Sequence, residues 1–245
     1  MRRRTLVTTT ALFVCATTAL TACSSSGSGS ATDSPAAATP AAAQSAAASK
    51  TPATPAAAKD PFHGRTGGQI FTDAIQADRT APSLRLKADV TDAKDGRLTV
   101  DLTMNSKGDC TGTIGKGKDA VAMIKVGRIA YLRPAGAHTW TKSDTTTGEG
   151  KGLAPMCDVK TFLADQGEDN AAKRGRVITV GGVPAMVLTE KDGAAVYTLD
   201  VATTGKHYLL KMVTVGGDEP GTLAFSNFGR PVHAVAPPKS QIAAG

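Results

Sequence analysis

The residues with the most distinctive chemistry in this sequence are its cysteines. Cys23 follows Leu20-Thr21-Ala22, a combination typical of the site where signal peptidase II cleaves and the new N-terminal cysteine is lipidated. Three arginines and an apolar segment of about fifteen residues precede this site, and the segment is shorter than the ~20 residues needed to span a membrane. We therefore predict a signal peptide over residues 1–22 and a lipid anchor on Cys23 at the extracytoplasmic face of the cell membrane. The arginines leave both the Sec and the twin-arginine export routes open.

A second kind of cysteine chemistry involves Cys110 and Cys157. Cys15 leaves with the signal peptide and Cys23 takes the lipid, so these two remain as an even pair in an oxidising compartment. The sequence has no C-x-x-C motif, and no histidine is adjacent to either cysteine, so a redox or metal-binding pair is not favoured. We predict a disulfide, which would stabilise the domain by roughly 4 kcal/mol through closure of a loop of nearly fifty residues.

Sequence patterns of enzymes and metal proteins are weak or incomplete. Residues 112–119 (GTIGKGKD) approach a P-loop, but Asp119 stands where a Ser or Thr must bind magnesium. The four histidines are far apart with no zinc-binding spacing, and no G-x-S-x-G nucleophile elbow occurs. We predict no catalytic residue, no metal site and no cofactor, and an enzyme is the least favoured class.

The net charge and the aromatic content of the sequence indicate which classes of ligand and partner to expect. Removing residues 1–22 lowers the formal net charge from +7 to +4, and the remaining basic residues form no stripe, so nucleic acid is not an expected partner. Aromatic residues make up only 4% of the chain, which is low for a surface that stacks on sugars or bases. An aliphatic ligand suits this composition better.

The chain divides by composition into a tether and one domain. Residues 23–61 consist almost entirely of Ala, Ser, Thr, Pro and Gly after the lipidated cysteine, so this segment is expected to be a disordered tether. Residues 62–238 are long enough for a single domain with a core, and residues 239–245 are expected to be a flexible tail.

The domain's pattern predicts one sheet with helices on one side. Thr66 and Gln69 fit a capping box before a helix that must end by Pro82. Apolar residues then alternate with polar ones over residues 84–90 and 98–104, which predicts a hairpin with one dry face. About four more strands, a short helix capped by Asp158 in which Val159, Phe162 and Leu163 share a face, and about five further strands follow, the last over residues 222–228.

This order predicts an α+β fold built from a single strongly curved antiparallel β-sheet. The sheet would be a half-barrel of about 10–11 strands with two or more helices on its concave apolar side. A concave apolar space between sheet and helices is where a ligand would bind, although side chains alone could also fill it. The candidate ligand-binding residues are Ile70, Phe71, Ile75, Leu84, Leu86, Leu98, Val100, Leu102, Met104 and Phe162.

The end of the domain carries a family resemblance. The segment Phe225-Ser226-Asn227-Phe228-Gly229-Arg230-Pro231-Val232 resembles the close of the LppX, LprA, LprF and LprG group of actinobacterial lipoproteins. The lipidation site, the tether, the opening helix and the mid-chain helix agree with that group in layout, and the sequence departs from it at Asn227 and in the Cys110/Cys157 pair. The resemblance implies a LolA/LolB-like half-barrel whose hydrophobic cavity carries acylated lipids or glycolipids through the envelope, with no catalytic residues.

Two functions follow from these observations. The first is a membrane-anchored lipoprotein, monomeric and able to meet an envelope transporter, that binds or carries an acyl lipid or glycolipid. The second is a structural or interaction lipoprotein with a filled core, whose basic turns at Lys116, Lys118, Arg174 and Arg176 meet wall polymers or a protein partner.

Overall fold

The computed structural model describes residues 60–94, 96–116, 119–164 and 171–244. The predicted signal peptide, the predicted lipid anchor on Cys23 and all but the end of the predicted tether lie outside the described residues. Within the described part of the chain, no helix has the length and apolar character needed to cross a membrane.

The described residues form two α-helices, eleven strands and short 3-10 helices. The α-helices are α1 (Gly67–Arg79) and α2 (Val159–Phe162), and 3-10 helices span Gly148–Leu153, Pro155–Cys157 and Lys239–Gln241. The strands are β1 (Ser83–Asp92), β2 (Gly96–Asn105), β3 (Cys110–Lys116), β4 (Asp119–Val126), β5 (Ile129–Pro134), β6 (Thr141–Asp144), β7 (Lys173–Val180), β8 (Val183–Asp192), β9 (Ala195–Ala202), β10 (Leu209–Val215) and β11 (Gly221–Ser226).

Helix α1 begins at the predicted capping box. The Thr66 hydroxyl accepts a hydrogen bond from the Gln69 amide at 3.2 Å, and the Gln69 side chain accepts one from the Thr66 amide at 2.9 Å. Two of the helix's free amide groups are thereby satisfied. The start of α1 also lies close to the chain before β7. A Cβ atom built on residue 67 would be only 2.1 Å from the Ala172 carbonyl oxygen. Glycine at this position therefore permits the close approach.

All eleven strands belong to one antiparallel sheet, in the order β6-β5-β4-β3-β2-β1-β11-β10-β9-β8-β7. This confirms the predicted fold class, a curved half-barrel with its helices on one face. The first and last strands pair at the centre of the sheet, so its two halves are joined through β1 and β11. The outermost strands of this sheet are consequently β6 and β7, from the middle of the chain.

The β1–β2 hairpin has the register that the alternation predicts. Leu84 pairs with Met104 and Leu86 with Leu102, so the apolar side chains of both strands lie on the concave face. On the convex face the Arg85 guanidinium donates to both carboxylate oxygens of Asp101, at 2.6 and 2.7 Å. The two faces therefore differ in polarity as expected for a half-buried sheet.

The ends of the last strands differ from the prediction. Strand β11 stops at Ser226 rather than at Phe228, because Asn227 has a φ of 56° that no strand accommodates. Part of the segment predicted to be a flexible tail, residues 239–245, is hydrogen bonded to the rest of the domain. The Trp140 amide donates to the Gln241 carbonyl at 2.7 Å, and the Ala243 amide donates to the Trp140 carbonyl at 2.9 Å.

Candidate functional site

The concave face and its helical cover enclose one apolar core. Strands β1 to β5 and β8 to β11 all contribute buried apolar side chains to it. Of the ten predicted ligand-binding residues, eight lie together in this core: Ile70, Phe71, Ile75, Leu84, Leu86, Val100, Leu102 and Met104. Three of these eight residues come from α1, and the other five come from the inward faces of β1 and β2.

The two other candidates, Leu98 and Phe162, are each 39% exposed. Leu98 shares the inward face of β2 with Leu102, which is fully buried, but Leu98 lies beside the β1–β2 turn. Its cross-strand partner Val90 is only partly buried against the core. Alternation fixes the face of a strand on which a side chain lies but not what covers it, and the cover ends before this part of the sheet.

Phe162 is exposed although it lies on α2, a helix of a single turn. Val159 and Leu163 are four residues apart, so they lie above one another and are both buried. Phe162 is rotated about 100° from Leu163 on a helix and faces outward. The predicted common face of these three residues is therefore wrong for Phe162.

The predicted disulfide is present and attaches the mid-chain segment to the sheet. It joins Cys110 at the start of β3 to Cys157 in the 3-10 helix before α2, with 5.5 Å between the Cα atoms. Asp158 then caps α2 by accepting a hydrogen bond from the Lys160 amide at 2.9 Å. The mid-chain cover is thus covalently fixed over the β2–β3 side of the core.

Helix α1 covers the other side and contacts β7, β9 and β10. Its last residue, Arg79, donates to the carbonyl of Leu163 and, at 2.7 Å, to the carbonyl of Ala164, directly after α2. These carbonyls are among the free acceptors at the end of a helix. Arg79 therefore links the two helical covers.

One buried carboxyl group of α1 was not among the predicted site residues. Asp78 is fully buried, and its Oδ1 accepts a hydrogen bond from the Leu209 amide of β10 at 3.2 Å, while Oδ2 has no partner. Burial raises the pKa of Asp78 to about 8, and the Leu209 hydrogen bond opposes this only in part. The sequence contained a signal, because Asp78 continues the four-residue spacing of Ile70 and Ala74 along the apolar stripe.

Among the described residues, two surface grooves are lined by residues other than those of the core. One of about 420 Å³ lies between the ends of the two helices and is lined by Gln76, Arg79, Thr80, Lys160 and Ala164. The other, of about 560 Å³, lies beside the C-terminal tail. The interior of the half-barrel is occupied by its own side chains, since residues such as Leu102 and Met123 have no exposed surface.

The basic residues predicted to meet wall polymers or a protein partner differ in their contacts and exposure. Arg174 bonds to Asp60 at 2.5 Å and donates to the carbonyls of Phe62 and Arg65, so it fastens the start of the domain. Arg176 is exposed, and Lys118 lies outside the described residues. In the described ranges no group of three or more His, Cys, Asp or Glu residues has a geometry that could hold a metal ion.

The fold and core together define a class: an open half-barrel of one antiparallel sheet with a helical cover on its apolar side. Among solved structures, LprF from Mycobacterium bovis has this fold, with a TM-score of 0.52 and 14% identity over 70% of this chain and 96% of LprF. The likeness confirms the fold expected from the resemblance, and at this identity it establishes the fold alone.

Other comparisons are weaker. The lipoprotein LppX from Mycobacterium tuberculosis matches with a TM-score of 0.46 and 14% identity, over 66% of this chain and 94% of LppX. A LolA superfamily protein from Nitrosomonas europaea matches with a TM-score of 0.27 and 9% identity, over 67% of this chain and 93% of that protein. No family model and no curated protein matches the sequence.

Proposed function

We propose that this protein is a membrane-anchored extracytoplasmic lipoprotein that binds or carries the acyl chains of a lipid or glycolipid between α1 and the sheet. One observation carries the proposal. Nine strands present a single apolar concave face, and the cover over it is only a 13-residue helix and a short disulfide-linked segment. The signal-peptidase II pattern at Cys23 and the fold shared with LprF support it.

An acyl chain would enter where the cover ends. Around the β1–β2 turn the inward side chains of Val90, Leu98 and Leu223 are partly exposed, although they continue the buried rows of Leu86, Leu102 and their neighbours. Apolar side chains at this rim would contact the first methylene groups of a chain, each worth about 0.8 kcal/mol on burial. The rim beside the β1–β2 turn is therefore the proposed mouth through which an acyl chain enters the core.

Because side chains fill the core, a chain can enter only if part of the cover moves. The disulfide holds the mid-chain cover, which leaves α1 as the movable part. Asp78 weakens the docking of α1, since its carboxyl group must keep a proton to remain buried at neutral pH. Moving α1 away from β10 would expose the carboxylate to water and recover its hydration, which lowers the free energy needed to open the core.

The test is binding of a fluorescent fatty acid such as cis-parinaric acid to the full-length protein, with native mass spectrometry of co-purified lipid. Leu98→Asp places a charge at the proposed mouth and should weaken binding by about tenfold or more. Val126→Asp is the matched control, because Val126 is 36% exposed, much like Leu98, but lies at the opposite end of its strand from the mouth. Protein that carries no lipid and binds no probe would contradict the proposal.

The packed core also favours a second candidate, a structural or interaction lipoprotein. In that case the interior needs no ligand, and exposed cations such as Arg176 would bind an anionic wall polymer. Arg176→Glu should then abolish capture by isolated wall polymer without changing the melting temperature. Arg174 is unsuitable for this test, because its contacts with Asp60 and Phe62 are structural.

A further inference from the structure

A groove on the convex face combines features of a binding site that the lipid-binding core does not use. The C-terminal tail pairs with Trp140, directly before β6, through the two backbone hydrogen bonds between Trp140 and the tail at Gln241 and Ala243. Between tail and sheet lies the groove of about 560 Å³, a volume within the range of small-molecule sites. It is lined by Tyr131, Lys142, Ala236, Pro237, Lys239, Ile242 and Ala243.

Strand alternation separates this groove from the core. Ala130 and Leu132 face the core, so Tyr131 between them lies on the convex face, where it pairs with Lys142 of β6. The buried Pro237 forms part of the groove wall from the tail side. Occupation of the groove and of the core would therefore not compete for space.

The groove is cationic, and its polar groups are available. Neither Lys142 nor Lys239 takes part in an ion pair within the described part of the chain. Asp144, on the same strand as Lys142, is bonded instead to Arg128 at 2.9 Å. Residues 229–244 contain no Asp or Glu. A third cation nearby, Arg133, lies over the Trp140 ring at 4.6 Å.

These groups match the chemistry of one kind of ligand. A tyrosine ring offers a flat apolar surface with a hydroxyl at its edge, and the two ammonium groups attract an anion and can donate charge-assisted hydrogen bonds to it. We propose that this groove binds a small anionic saccharide, that is, a mono- or disaccharide bearing a carboxylate or a phosphate. A recessed wall of proline and alanine suits a compact ligand better than the flat surface of a bilayer.

The single tryptophan makes this proposal directly testable. Trp140 is the only tryptophan of the chain and contacts the tail that forms the groove, so its fluorescence reports on occupancy. Full-length protein in a non-ionic detergent would be titrated with digalacturonic acid and glucose 1-phosphate, with maltose as the neutral sugar. Isothermal titration calorimetry would measure the same affinities independently.

We expect saturable binding of both acidic sugars, weakened by salt, and little binding of maltose. K142Q/K239Q should reduce the affinity at least about tenfold, and Tyr131→Phe, which removes only the hydroxyl, should reduce it about threefold. The control K173Q/K191Q removes two exposed lysines from other strands and should leave the affinity unchanged. All these side chains except Tyr131 are exposed, so the variants are expected to fold, which circular dichroism would verify.

Three results of the sugar titrations would each overturn the proposal. They are equal binding of maltose and the acidic sugars, an equal loss of affinity in K173Q/K191Q, and no binding by either method at millimolar sugar. A response to vesicles of phosphatidylglycerol without a response to either sugar would also overturn it, and would assign the basic tail to the membrane surface.

Discussion

Replacing Asp78 by Asn should stabilise the domain and remove much of its pH dependence between about pH 4 and pH 8. The Asp78 carboxyl group is buried under α1 with one hydrogen bond from Leu209 and one oxygen without a partner. An asparagine keeps the shape and can accept the same hydrogen bond, but it has no charge to bury. The difference in unfolding free energy between the variant and the unmodified protein therefore measures the cost of keeping the Asp78 carboxyl group protonated in the fold.

The size of the effect follows from the pKa. The ordinary value of 3.8 applies in the unfolded chain, and burial raises it to about 8 in the fold. Between these values the folded protein binds more protons than the unfolded chain, so stability falls as the pH rises and levels off above the folded pKa. At 1.36 kcal/mol per pKa unit, the loss is roughly 1 kcal/mol at pH 4.5 and roughly 4 kcal/mol at pH 7.

Urea unfolding followed by circular dichroism at several pH values measures this directly. The gain in unfolding free energy of Asp78→Asn over the unmodified protein should grow from roughly 1 kcal/mol at about pH 4.5 to roughly 4 kcal/mol at about pH 7. Burial also raises the pKa of Asp200, but that residue is common to both proteins and cancels in the difference. Asp73→Asn, at an exposed position of the same helix paired with Arg65, should change stability little at any pH. Parallel pH profiles for the unmodified protein and Asp78→Asn would refute the argument.

Three further changes test the packing. Replacing both half-cystines by alanine should lower the unfolding free energy by about 4 kcal/mol, because their separation of 47 residues closes a long loop, and a reductant should then have no further effect on a urea titration. Leu102→Ala should cost about 2–5 kcal/mol in the same assay and Leu98→Ala under about 1 kcal/mol, and equal losses would contradict the exposure difference between them. Arg174→Ala should release the start of the domain, seen as faster limited proteolysis near residue 60, whereas Arg176→Ala should not; equal cleavage of the two variants would argue against the contacts of Arg174.

The local elements were largely predictable from sequence. The capping box at Thr66 and Gln69 located the start of α1, and the alternation in β1 and β2 gave both the hairpin and its buried face. Such signals are readable because they depend on neighbouring residues only. Eight of the ten candidate ligand residues lie in the core for the same reason.

The exceptions depend on contacts that are distant in the chain. Leu98 continues the pattern of Leu102 but lies beyond the edge of the helical cover, and the position of that edge is set by packing between α1, the mid-chain segment and the sheet. Asp78 falls on the apolar stripe of α1, yet its partner Leu209 is 131 residues away. Periodicity assigns a face, whereas depth of burial depends on what lies opposite.

The sequence by itself determined the succession of helix, strands, mid-chain helix and strands, the dry face of the sheet and the pairing of Cys110 with Cys157. Only the tertiary structure decided that β1 pairs with β11, that the tail lies along Trp140, and that side chains fill the concave side. Strand partners, groove walls and interior volume arise from segments far apart in sequence that meet only after folding, so no local spacing encodes them.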